Sequence, residues 1–116
     1  MVHELLSGTY DLHIHTAPDV IPRKCTDGET VRRLQAAGMK GCAIKCHYFE
    51  TAARAALLQE CFPQMKIVGG LVLNRSVGGI NPEAVERFGQ MGGRILWFPT
   101  MDARSFQQYK MKTSQV

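Results

Sequence analysis

The side chains best suited to chemistry open the chain: Asp11, His13 and His15 alternate within residues 10–15. On a β-strand successive side chains point to opposite faces, so these three are expected on one face, with Leu12 and Ile14 on the other. Imidazoles at positions i and i+2 lie about 6.6 Å apart along the backbone, and both rings can turn onto one ion at roughly 2.0–2.1 Å. Histidines satisfied by backbone groups are the structural alternative. Three polar side chains on one face of a buried strand must all find partners, however, and one divalent cation supplies them together.

A second polar pair follows. Lys45 and His47 share a face of the segment 41–46 and its exit, opposite Cys42, Ile44 and Cys46. Further on, Thr100 and Asp102 leave a fourth apolar segment, where they could orient substrate or a water, or simply cap a helix. Asp27 stands just ahead of a helix starting near Glu29, where Asp is among the best N-cap residues. Trp97 and Phe98 read as core.

These residues need elements to hold them. The segments 10–15, 41–46, 66–73 and 94–98 are short, mostly apolar and bounded by Gly, Pro or polar residues, which predicts buried strands. Helical patterns lie between them: 29–37 ending at Gly38, 51–61 ending near Pro63, and 82–91 ending at Gly92 and Gly93. Asn81 and Pro82 give the third helix a clear start. A last helical stretch begins near Asp102 or Ala103 and runs through Phe106 and Tyr109, and residues 112–116 carry no pattern. The alternation β-α-β-α-β-α-β predicts a parallel sheet with right-handed crossovers, and both polar clusters then fall at carboxyl ends of strands, where such folds place their ligands.

Composition limits the function classes. With 45% apolar and 21% charged residues, the chain reads as one globular domain, 1–116. No stretch reaches the roughly 18 apolar residues of a membrane span, and the first fifteen residues lack a signal-peptide pattern, so a cytoplasmic location is expected. The net charge of +4 comes from scattered Lys and Arg without interleaved aromatics, which argues against nucleic acid as a partner. Four cysteines (Cys25, Cys42, Cys46, Cys61) include no CxxC pair and are expected to be free thiols. The glycines Gly69, Gly70, Gly78 and Gly79 lack the spacing of a phosphate-binding loop and read as turn geometry.

The motifs DLHIHT and TDGETVRRLQAAGMKGCAIKCH resemble the opening of the amidohydrolase and PHP (polymerase and histidinol phosphatase) metal-dependent hydrolases. GGLVLNRSVGGINPEAVE and ILWFPTMDA resemble a related family of uncharacterised function, and the resemblance covers residues 9 to about 106. It implies the N-terminal half of a TIM-type (β/α)8 barrel, four strands of the eight, with the C-terminal half absent. It implies a divalent metal, zinc first and manganese or iron as alternatives, held by His13, His15, His47 and Asp27. Lys45 and Asp102 are the expected catalytic residues. Lys45 could be carbamylated, bind an anionic group, or pair with a catalytic carboxylate. Asn74 departs from the acidic ligand that PHP enzymes tend to carry at that place.

The expected activity is hydrolysis of a C–N or ester bond in a small molecule by a metal-activated water, with an incomplete site in this chain alone. A PHP-type phosphoesterase and a non-catalytic metal-binding or interaction module are the alternatives. Exposed edges at the first and fourth strands predict self-association.

Overall fold

The computed structural model describes residues 4–114. It is an α/β fold of four alternating units: β1 (Tyr10–Ile14), α1 (Asp27–Ala36), β2 (Gly41–Ile44), α2 (Ala52–Cys61), β3 (Lys66–Val72), α3 (Pro82–Gln90), β4 (Ile95–Trp97) and α4 (Arg104–Thr113). The strands form one parallel sheet in the order β1-β2-β3-β4. Consecutive order with every connection made by a helix is the arrangement the alternation predicts. No helix among the described residues is long and apolar enough to cross a membrane.

The helices pack on one face of the sheet. Val31 of α1, Ala55 of α2, Met65, and the strand residues Cys42, Ile44 and Ile67 form one buried cluster. Ala52, Leu71, Leu73 and Phe88 form another. Burial of a side chain such as Ile44 or Leu71 contributes about 1.5–3 kcal/mol, so these clusters hold the strand ends that carry the polar residues. The opposite face is far less covered: Tyr10 is 47% and Leu12 56% exposed.

Three expectations need correction. Strict alternation along β1 fails, because Asp11 pairs with Cys42 and Ile14 with Ile44, leaving two β1 residues opposite the single Ala43. This bulge reverses the facing of the strand midway. Asp11 therefore follows the helix-packed Cys42 and does not share a face with the histidines; its Oδ1 instead accepts the backbone N–H of His13 at 3.0 Å. Phe98 is 76% exposed, not core, since β4 ends at Trp97.

The third concerns the C-terminal segment. The patternless stretch expected from residue 112 is helical through Thr113, with Gln115 and Val116 outside the described residues. No residue of α4 is buried, so it shows no apolar stripe, while Lys110 and Lys112 suit the negative end of its dipole.

Asp27 is not the cap of α1 either. Thr26 is, with a complete capping box: its Oγ1 accepts the Glu29 amide at 3.2 Å, and Glu29 accepts the Thr26 amide at 2.8 Å.

Candidate functional site

The bulge takes in His13, and the rings of His13 and His15 meet at the carboxyl end of the sheet. Their Nε2 atoms stand 3.3 Å apart, the rings edge to face with centroids at 5.2 Å. Two nitrogens each roughly 2.0–2.1 Å from a tetrahedral ion would be about 3.3–3.4 Å apart, so this pair has the bite such an ion requires.

Lys45 and His47 arrive from the end of β2. The ammonium of Lys45, in a side chain only 5% exposed, lies 3.4 Å from His13 Nε2 and 4.7 Å from the ring centre of Trp97. Burial pushes its pKa down. Trp97, expected as core, is instead a half-buried platform: it closes over Gly70, where an added Cβ would stand 2.3 Å from the indole, and it carries the lysine on its ring. His47 stacks on His15 with ring centroids 4.8 Å apart, and its Nδ1 meets Thr100 Oγ1 at 2.8 Å.

The electrostatics follow from this crowding of nitrogen. Burial, and then the charges of Arg23, His47, His13 and Lys45, lower the pKa of His15 to about 4. His47 is lowered by burial and by Lys45 and Arg23. Both imidazoles are thus held in the neutral form that ligates metals.

The expected carboxylates are elsewhere. Asp27 is paired with Arg54, 2.8 Å from Nη2 and 3.1 Å from Nε, and also accepts the hydroxyl of Thr16. Asp102 accepts the amide of Arg75 at 2.7 Å, fixing the 3-10 turn Arg75–Val77. Among the described residues no group of three or more His, Cys, Asp or Glu could hold a metal ion. The histidine pair fits one, but the wider ligand set does not assemble. Asp27→Ala is expected to leave zinc affinity within about twofold while costing roughly 2–3 kcal/mol of stability, because Arg54 is left without its partner in a mostly buried site. Parallel zinc titration and urea melts of that variant check both halves; a large loss of zinc affinity would restore Asp27 as a ligand.

Two residues of the site, Asp19 and Arg23, carried no sequence signal that singled them out for it. Asp19, with no exposed side-chain surface, accepts Arg23 Nε at 2.7 Å, the Val20 amide at 2.7 Å and the Cys46 thiol at 3.4 Å. Burial alone would raise its pKa, but these donors outweigh it and the pKa falls. Arg23 so anchored keeps one buried nitrogen, Nη2, without a partner. The i, i+4 spacing of Asp19 and Arg23 was the available clue, in a loop where helical pairing rules do not apply. Asn74, named in the sequence for standing where an acidic ligand was expected, is 2% exposed and ties the ends of β2, β3 and β4 together.

No curated protein and no solved structure matches the chain. A family model does, over residues 8–116, and it carries no activity. The span it covers takes in every strand, helix and site residue described above, and the chain belongs to that family of unknown function, DUF6282.

Proposed function

We propose that the chain is the N-terminal half of a (β/α)8 barrel of the amidohydrolase-like type, hydrolysing a small molecule with a metal-activated water. The observation that carries this reading is the 3.3 Å separation of His13 Nε2 and His15 Nε2 at the carboxyl end of a parallel sheet. A zinc ion there would supply a bound water of pKa near 7 and polarise a carbonyl or phosphoryl oxygen. The chain's own residues do the rest. His15 is held neutral, which leaves one ring nitrogen unprotonated and able to ligate. Thr100 fixes the ring of His47, and Trp97 with Lys45 walls the mouth on the β4 side.

Zinc titration by calorimetry tests the proposal. His13→Ala and His15→Ala should each weaken zinc by about 100-fold or more, since even outer partners of a ligand cost 10- to 100-fold. Affinities equal to the wild type in folded variants would remove the proposal. That no third His, Cys, Asp or Glu joins the pair among the described residues favours a second reading, metal binding without turnover by these residues alone. Zinc binding with no hydrolysis across ester and amide substrates is its expected signature.

A half-barrel also leaves β1 and β4 as open edges, beside the exposed Tyr10 and Leu12. Self-association is the expected consequence. Sedimentation over a range of concentrations should show dimers or larger species, reduced in Leu12→Ser; a monomer at every concentration would contradict this.

A further inference from the structure

We infer that Arg23 and Lys45 form a seat for an oxyanion, so that the molecule taken at this mouth carries a carboxylate or a phosphate. The inference rests on the proposed function for calling that molecule a substrate, but not for the binding itself.

The charge inventory is one-sided. The charges of Arg23 and Lys45 both reach His15 and His47, while Asp19 is the carboxylate that reaches His47. Asp19 is already saturated: one oxygen takes Arg23 Nε, the other the Val20 amide and the Cys46 thiol. Among the described residues no carboxylate pairs with Lys45. Its ammonium meets only an imidazole nitrogen and the face of an indole, weak compensation for a charge so deeply buried.

An unmet donor marks the same place. Among the described residues, Arg23 Nη2 is a buried guanidinium nitrogen without a hydrogen-bond partner. Arg23 is anchored through Asp19 to Cys46, which stands between Lys45 and His47 in the chain, so the unmet donor and the buried ammonium belong to one neighbourhood. Buried donors are nearly always satisfied, and leaving one unmade costs about 1–3 kcal/mol, more when it is charged. An oxyanion would satisfy Arg23 Nη2 and neutralise Lys45. Asp19 holds Arg23 by Nε and thereby presents the rest of the planar guanidinium, the geometry that suits carboxylate and phosphate oxygens.

The test uses protein stripped of metal with a chelator, titrated calorimetrically with inorganic phosphate and, separately, with acetate. Arg23→Lys keeps a cation beside Asp19 and removes Nη2, Lys45→Met removes the buried ammonium, and Arg104→Gln on the exposed face of α4 controls for net charge. Binding of either anion, weakened about tenfold in Arg23→Lys and Lys45→Met and within twofold in Arg104→Gln, supports the seat, and the anion bound identifies the group. No binding of either anion, or equal losses in all three variants with native circular dichroism, overturns it. Zinc titration of the same samples separates the two proposals. Arg23-dependent anion binding without zinc affinity keeps the seat and removes the metal; zinc affinity with Arg23-independent anion binding does the reverse.

Discussion

Gly69→Ala is expected to cost about 3 kcal/mol or more and to leave the protein largely unfolded at moderate urea. An added Cβ at this position would stand 2.4 Å from Ala52 Cα, 2.5 Å from Ala52 N and 2.7 Å from the carbonyl carbon of Thr51. All three are backbone atoms, so no side chain can swing aside, and the first turn of α2 must lift from β3. Ordinary overpacking costs about 1–3 kcal/mol; here further bonds break as well. The Thr51 hydroxyl, fully buried, donates to the Ile44 carbonyl at 2.7 Å and accepts the Gly70 amide at 2.7 Å, stitching β2 to β3. Lifting α2 pulls that hydroxyl out and strands those groups in the core. Of a total stability of roughly 5–15 kcal/mol, such a loss is a large part.

Gly89→Ala is the matched control. It lies inside α3 with nothing within 4 Å of the added carbon, so it should stabilise by about 0.5–1 kcal/mol through helix propensity. Urea melts followed by circular dichroism compare the two. A Gly69→Ala midpoint matching that of the wild type would show that α2 does not rest on β3 as described.

The glycine illustrates what the sequence could and could not convey. Apolar runs and their helical separators made the four strands and the order of elements legible, because burial on a parallel sheet leaves a compositional trace. The pair of adjacent glycines at 69 and 70 reads as turn geometry from sequence, whereas both lie within β3, one beneath α2 and one beneath Trp97. Close approach of a neighbouring element leaves no local pattern. The same holds for the bulge in β1: alternation assigned Asp11 to the histidine face, and only pairing with β2 reveals the extra residue. The sequence offered Asp27 as the cap of α1, whereas Thr26, one residue earlier, fills that place with Glu29. The actual partner of Asp27, Arg54, lies 27 residues away on α2.

His13, His15, Lys45 and His47 were legible as a group, since strand ends of a parallel sheet converge on one mouth, and the structure brings them together. Asp102 was placed at the correct loop but serves the backbone there. Arg23 and Asp19 escaped notice because their loop between β1 and α1 is irregular, and only tertiary contact ties it to Cys46 just past β2.

Asn74→Ala is expected to lower stability by roughly 3–5 kcal/mol and to release the ring of His47. The amide makes four hydrogen bonds while almost wholly buried. Its Nδ2 donates to the His47 carbonyl and to Thr100 Oγ1, both at 2.9 Å, and its Oδ1 accepts the amides of Thr100 at 2.9 Å and Asp102 at 3.3 Å. Alanine strands each of these groups. Because Thr100 Oγ1 also meets His47 Nδ1, the imidazole loses its brace as well as the carbonyl anchor of its own backbone. Asn74→Asp is no remedy: a carboxylate keeps both acceptor contacts but turns an anionic oxygen toward the His47 carbonyl, where the amide donated. Urea melts of Asn74→Ala, Thr100→Ala and the double variant test the linkage, with imidazole resonances of His47 as the local readout. The double variant should cost about 1 kcal/mol or more below the sum of the single ones, as contacting residues in one network do. Strict additivity, with an unmoved His47 spectrum, would mean that Asn74 merely fills space between the strand ends. Non-additivity would mean that the position where an acidic ligand was expected instead aligns, through Thr100, the third imidazole of the mouth.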